Sequence, residues 1–366
     1  MLKPLPDYPW DRMEPYIERA RRHPGGIVDL SIGSPVDATP DIIREALSEA
    51  TDAHAYPATI GTPALRQAII DWFQRRRGVT GLTEANVLPT IGSKELVALL
   101  PFMLGLGEGD VVVHPLAAYP TYAIGAALAG ATAFGSDEPA AWPERTRLIW
   151  LNSPGNPDGR VLSIDELRAA RARALQLGAT IVSDECYAEL GWDEPWNTEQ
   201  IPSILDPRVI EGDRSNTLAV YSLSKQSNMA GYRAAFVAGC ATLIGRITTV
   251  RKHAGLMLPA PLQAAMVVAL GDDVHVAEQK ELYRVRRDIL LPAVEAAGFR
   301  IDQSRAGLYI WATEGRDAWD SIDRLASLGI VAGPGHFYGD AYPEHVRFSL
   351  TATDERIAAA AERLTA

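Results

Sequence analysis

The chain has 366 residues, 47% of them hydrophobic and 22% charged, enough apolar material for a large core and a length that suggests about two domains. Its formal net charge of −11, from 35 basic and 46 acidic residues, disfavours non-specific binding to a nucleic-acid backbone. The two cysteines stand outside any metal-ligand cluster, no apolar run is long enough to cross a bilayer, and the opening Met1-Leu2-Lys3-Pro4-Leu5-Pro6 lacks the apolar core of a signal peptide, so a cytoplasmic protein with reduced thiols and no metal is expected.

In chain order, a proline-punctuated arm carries one helix around Met13–Arg22. Asp29–Ile32 reads as a short strand ending in a turn at Gly33-Ser34-Pro35, and Asp41–Ala50 as a capped helix. Short apolar runs then alternate with amphipathic helical stretches. The runs are Val87–Ile91, Val111–His114, Leu148–Asn152, Thr180–Ser183, Leu218–Ser222 and Ala234–Ala238; the helical stretches include Pro63–Gly78, Lys94–Leu104 and Ile164–Leu177. Such alternation predicts an α/β unit with a mostly parallel sheet, in which ligands gather at the C-terminal ends of the strands. After about Gln263 the pattern changes to a long helix through Glu278–Glu295, a strand at Leu308–Ala312, a helix near Asp317–Leu328, a strand at Val346–Leu350 and a terminal helix. The expected organisation is an arm over residues 1–40 contributing to a smaller α+β domain, a large domain over 41–262, and the smaller domain over 263–366.

Several polar residues follow the apolar runs. Gly92-Ser93-Lys94-Glu95 links a strand to a helix, where backbone N–H groups and the Ser93 hydroxyl make a phosphate cradle or a simple capping turn. Asn152-Ser153-Pro154-Gly155-Asn156-Pro157-Asp158-Gly159 is a turn by composition that brings the Asn156 amide to the sheet edge. Asp184, in Ser183-Asp184-Glu185-Cys186-Tyr187, is an acid at the end of a core-like strand; it needs a partner, either a protonated pyridine nitrogen or an ordinary helix cap or salt bridge. Tyr187 is a site residue or a half-buried core tyrosine. Lys225, closing Ser222-Leu223-Ser224-Lys225, can reach an aldehyde from the end of a buried strand or stand solvated at the surface. Arg233 and Arg347 each touch an apolar run and need an anion: phosphate for the first, a substrate carboxylate for the second, or an internal acid for either.

Taken together and in order, Asn156 in SPGNPDG, Asp184 and Tyr187 in DECY, Lys225 in SLSK, Arg233 in GYR and Arg347 in VRFSL resemble the class I/II aminotransferases of the fold-type-I pyridoxal-phosphate family over essentially the whole chain. The resemblance implies a mostly parallel seven-stranded sheet in the large domain and pyridoxal 5′-phosphate as cofactor. It implies that Lys225 bonds the cofactor and carries the proton at the substrate Cα, and that Asp184 pairs with the ring nitrogen. Asn156 and Tyr187 would bond the ring's phenolic oxygen, and Tyr119 would stack on the ring. Ser93, Lys94, Ser222 and Arg233 would hold the phosphate, while Gly33, Asn156 and Arg347 would hold the substrate α-carboxylate. Tyr56 resembles the tyrosine that reaches the neighbouring subunit's phosphate, which implies a homodimer.

The segments Leu5-Pro6-Asp7-Tyr8-Pro9-Trp10-Asp11, His23–Leu30, Ala55–Pro63 and Gly255–Pro261 resemble, more narrowly, actinobacterial succinyldiaminopimelate aminotransferases. That implies transamination between N-succinyl-LL-2,6-diaminopimelate and the 2-oxoglutarate/glutamate pair in lysine and diaminopimelate biosynthesis. Lys252 is a candidate for the distal carboxylates, set against an ordinary solvated helix lysine. Competing expectations on the same scaffold are another amino-acid specificity or a β-eliminating C–S lyase. A cofactor-sensing transcription regulator is disfavoured by the acidic charge.

Overall fold

The computed structural model describes residue 5 and residues 9–366. Pro6, Asp7 and Tyr8 of the opening motif lie outside the described residues. A 3₁₀ turn leads into α1 (Glu14–Arg21), followed by β1 (Val28–Asp29) and α2 (Asp41–Glu49). Next come α3 (Pro63–Arg77), β2 (Val87–Ile91), α4 (Ser93–Met103), β3 (Val111–His114), α5 (Thr121–Ala129), β4 (Thr132–Gly135), β5 (Thr146–Asn152) and α6 (Ile164–Gln176). β6 (Thr180–Asp184), α7 (Pro207–Ile210), β7 (Thr217–Ser222), β8 (Ala234–Gly239), α8 (Ala241–Ala254) and α9 (Ala260–Gly271) complete the middle of the chain. The remainder is α10 (Val274–Ala296), β9 (Arg300–Ile301), β10 (Tyr309–Thr313), α11 (Ala318–Ser327), β11 (Ile330–Val331), β12 (Gly333–Pro334), β13 (His345–Ser349) and α12 (Asp354–Thr365).

Local chemistry sets these boundaries. Thr62 caps α3 by accepting from the Leu65 amide, Pro63 stands in the first turn, and Gly78 ends the helix at φ 63°, a left-handed value that glycine adopts without steric cost. Ser163 and Glu166 form a reciprocal capping box at the start of α6. The strand expected over Asp29–Ile32 is only Val28–Asp29, because the Asp29 carboxylate turns back to accept from the Ser31 amide and hydroxyl.

Seven strands form one sheet in the order β2-β8-β7-β6-β5-β3-β4. β8 runs antiparallel to both neighbours and the other pairings are parallel. One face packs on α2, α3, α6 and α9 through residues such as Trp72, Phe73, Ile149, Ile181 and Phe236. The other packs on α4, α5 and α8 through Leu96, Val112, Trp150, Val182 and Ile247. A four-stranded sheet, β12-β13-β10-β9, lies in a separate apolar cluster with α10, α11 and α12, which also buries Met13, Ala20, Val28 and Leu30 of the arm. β1 pairs with β11, tying the arm to this second cluster. Leu262, Ala265, Met266, Ala269 and Leu270 of α9 all pack in the first cluster. We propose on this ground that α9 goes with the large unit and that the smaller one begins near α10, rather than at residue 263. Among the described residues no helix is long and apolar enough to cross a membrane.

Candidate active site

β2, β5, β6 and β7 finish at one edge of the large sheet, and the antiparallel β8 begins there. Register aligns Asn152 with Asp184 and Asp184 with Val220, while Ala234 faces Ile91 and Ala235 faces Ser222. The residues just beyond these ends converge: Ser93 after β2, Asn156 after β5, Lys225 after β7 and Arg233 just before β8.

Lys225 extends its amine to donate to the Gly33 carbonyl of the arm. Burial depresses its pKa, and the Arg347 and Arg233 charges push the same way. A buried amine of this kind spends more of its time neutral than a surface lysine does, and the neutral form is the nucleophile and proton acceptor. Asp184 is 7% exposed; its carboxylate accepts from the Tyr122 hydroxyl at 2.9 Å and the Cys186 amide at 3.2 Å. Burial raises its pKa against these two hydrogen bonds and a third from the Cys186 thiol, and no cation forms an ion pair with it among the described residues. Neither a salt bridge nor a helix cap therefore accounts for this acid.

Arg347 comes from β13 and is 3% exposed. One terminal nitrogen donates to the Asn156 side-chain oxygen at 2.8 Å and the other to the Ser31 carbonyl at 2.6 Å, while its Nε has no partner. Its guanidinium lies 3.8 Å from the Tyr309 ring centre and 4.8 Å from that of Tyr338. No carboxylate pairs with it among the described residues. Asn156 is itself oriented by a bond from its amide to the Asn152 side chain at 2.8 Å.

Gly92 and Arg233 meet closely: a Cβ at Gly92 would stand 2.3 Å from an Arg233 nitrogen. Arg233 takes a left-handed φ of 58° and donates to the Ala230 carbonyl at 2.8 Å. Such a backbone costs of order 1–3 kcal/mol in a residue with a side chain, and it aims this guanidinium at the start of α4. Ser93 opens α4 and Lys94, exposed, follows it, so both amides lie in the first turn of that helix, at its positive end. Ser222 is buried and bonds the Ser224 hydroxyl at 2.8 Å. Tyr119 stands edge-on to Tyr122, ring centres 5.9 Å apart. Tyr187 bonds the hydroxyl of Tyr309 at 3.2 Å. Two residues stay outside this group: Tyr56 is 94% exposed, and Lys252 is exposed in the last turn of α8.

Three tyrosines join the site without having been singled out from the sequence: Tyr122 on Asp184, and Tyr309 and Tyr338 flanking Arg347. Tyr122 sits one helical turn from Tyr119, a spacing that could have drawn attention to it. Tyr309 lies in the apolar run Leu308–Ala312, and Tyr338 lies in a glycine-flanked turn that carries no motif.

The family model for aminotransferase class I and II matches residues 26–364. The 4-dedimethylamino-4-oxo-anhydrotetracycline transaminase OxyQ of Streptomyces rimosus is 53% identical over 365 residues, 100% of each chain. An LL-diaminopimelate aminotransferase of Desulforudis audaxviator is 33% identical, with 99% of this chain and 96% of that one covered. Among solved structures, a single mutant of Thermus thermophilus aspartate aminotransferase superposes with a TM-score of 0.86 at 26% identity, covering 99% of this chain and 97% of that one. Sheet order, whole-length similarity and the family match agree: the chain belongs to the class I and II aminotransferases, fold-type-I enzymes that depend on pyridoxal 5′-phosphate.

Proposed function

We propose that this aminotransferase carries pyridoxal phosphate on Lys225 and exchanges an amino group between N-succinyl-LL-2,6-diaminopimelate and 2-oxoglutarate, with glutamate as the returning donor. The residues present fit the cofactor. Asp184 is a buried acid with no cation paired to it among the described residues, which suits a protonated pyridine nitrogen. Arg233, the Gly92–Ser93 turn and Ser222 offer donors for a phosphate at the start of α4. The bound cofactor supplies an aldehyde to take the amino group and a ring to spread the negative charge left at the substrate Cα. Lys225 takes the proton from that carbon and returns it. Asn156 and Tyr187 offer hydrogen bonds to the ring oxygen, and Tyr119 a flat face.

One observation carries the amino-acid half of this reading: among the described residues, Arg347 is a buried guanidinium with no acid beside it and with Nε unpaired. Such a group is costly unless an anion arrives, and its planar fork matches a carboxylate. The diaminopimelate half is supported by the four sequence segments named above and by the similarity to an LL-diaminopimelate aminotransferase. The 53% identity to OxyQ favours a second reading, in which the acceptor is a polycyclic ketone without an α-carboxylate.

Half-reactions separate them. Arg347→Ala should weaken glutamate and succinyldiaminopimelate alike, by about 1.5–3 kcal/mol, or roughly ten- to hundredfold in kcat/KM. A wild type that aminates the tetracycline ketone, and not the succinylated oxo acid, would overturn the diaminopimelate reading and leave the transamination intact. Lys252→Ala is the companion variant. A loss confined to dicarboxylic substrates would bring Lys252 into the site, and equal values for glutamate and alanine would keep it out.

We also propose that the enzyme is cytoplasmic and that Tyr56 serves the site of a second copy of the chain, which makes it a homodimer. A tyrosine with 94% of its surface free is otherwise an unusual place for a large aromatic side chain. Light scattering at assay concentration should give twice the chain mass. Mixing Tyr56→Phe with Lys225→Ala protein should restore activity through hybrid dimers with one intact site; an active monomer would end the proposal.

A further inference from the structure

Tyr309, on β10, touches three separate pieces of the site. Its hydroxyl lies 3.2 Å from the Tyr187 hydroxyl, with the two rings edge to face at 5.7 Å. Its ring underlies the Arg347 guanidinium at 3.8 Å. Its hydroxyl also presses on the arm: a Cβ at Gly33 would stand 2.1 Å from it, so glycine is required there by close approach, and the Gly33 carbonyl is the acceptor of the Lys225 amine.

These contacts divide the work of one side chain. A buried guanidinium needs compensation, and an acid would supply it best. An acid would also occupy the fork that the substrate carboxylate must use. A ring face attracts the cation without placing an acid against it, so Arg347 is stabilised while its Nε, and the second hydrogen on each terminal nitrogen beyond those given to Asn156 and Ser31, stay within reach of a carboxylate. At the other end, a hydroxyl pair has two donors and several lone pairs. If Tyr309 donates to Tyr187, the Tyr187 hydrogen is left for a further acceptor. Burial raises the Tyr309 pKa, but the Arg347 and Lys225 charges outweigh it and make Tyr309 the more acidic partner, while Tyr187 is pushed up by burial. The geometry lets either hydroxyl donate, and the charges beside Tyr309 favour it as the donor.

We propose that Tyr309 is a positioning residue that ties the carboxylate-binding guanidinium of Arg347 to the hydroxyl of Tyr187, so that both ends of the reacting site are set as one unit. The inference rests on the placement of Arg347 at the substrate carboxylate and of Tyr187 at the ring oxygen. It is independent of which amino acid is the substrate.

The test uses the holoenzyme without substrate and reads the pH midpoint of its visible absorbance band. Tyr309→Phe keeps the ring under Arg347 and removes only the hydroxyl bond. It should move the midpoint by about half a unit to one unit, the size expected for one lost hydrogen bond, and change KM for glutamate by less than about threefold. The double variant Tyr187→Phe/Tyr309→Phe should move the midpoint no further than Tyr187→Phe alone, because the two hydroxyls act through one bond. Tyr309→Leu removes the ring face as well, and should raise KM about tenfold for every α-amino acid tried, with a smaller change in kcat. A Tyr309→Phe midpoint within about 0.2 unit of wild type, beside a shifted Tyr187→Phe, overturns the role of Tyr309 alone. If Tyr187→Phe is unshifted too, the placement of Tyr187 falls with it. Additive shifts in the double variant also overturn the proposal.

Discussion

Lys225→Ala leaves a folded protein that takes up pyridoxal phosphate but has lost about 10²–10⁴ of kcat or more, because the group that moves the proton is gone. The fold survives because, among the described residues, the side-chain hydrogen bond removed is the one to the Gly33 carbonyl of the arm. Cofactor uptake survives because Asp184, Arg233 and Ser222 are untouched. The chain has five lysines, Lys3, Lys94, Lys225, Lys252 and Lys280, so borohydride reduction followed by peptide mapping gives a clean answer. Wild-type protein should carry the label on Lys225 and the variant none. The depressed pKa sharpens the test. An amine whose pKa is lowered by burial is neutral below the usual lysine range, so Lys225 should already be labelled at a pH below that range. A label on Lys94 or Lys252 would sink the assignment.

How much of this was legible beforehand depended on the range over which each residue acts. β2 and β3 coincide with the expected apolar runs, because a strand buried between two helical layers must be apolar along its length. The sheet-edge strand β4, Thr132–Gly135, was not foreseen: it is largely exposed and carries no apolar pattern. Nor was α9, whose residues are nearly all apolar and therefore have no periodic face to detect. Lys225, Asp184 and Asn156 could be read because each follows its own strand, and a parallel sheet carries strand ends to one place. The partners of these residues could not. The Arg347–Asn156 bond spans 191 positions and the Tyr187–Tyr309 bond 122, and no local pattern encodes a contact between a strand of one unit and a loop of another. The absence of an acid beside Arg347 was equally invisible, since pairing with an internal carboxylate was just as compatible with the sequence.

Asp184→Asn should slow the first half-reaction with glutamate by roughly 200- to 5,000-fold, the equivalent of the 3–5 kcal/mol lost when one member of a buried ion pair is removed. Asparagine has nearly the same shape; its one oxygen can still accept from the Cys186 amide while its NH2 donates to the Tyr122 hydroxyl oxygen, so both contacts are kept, one reversed, and what disappears is the charge. Without it, the ring nitrogen has nothing to hold its proton, and the negative charge left at the substrate Cα has a poorer place to go. The protein without cofactor should respond in the opposite sense. There the Asp184 carboxylate is buried with no cation, and burial raises its pKa above the unfolded value. The folded state then binds more protons than the unfolded one between those two pKa values, so this group lowers stability as pH rises through that window and keeps it lowered above. Asp184→Asn removes the penalty. The cofactor-free variant should therefore melt at the same temperature as wild type or higher at neutral pH, and the difference should vanish in acid. Stopped-flow absorbance gives the rate and scanning calorimetry on the cofactor-free proteins gives the stability. A structural acid would show the reverse, with the variant melting lower and the half-reaction little changed. Tyr122→Phe grades the same argument: it keeps the charge and removes one hydrogen bond to it, so its effect on the rate should fall well short of that of Asp184→Asn.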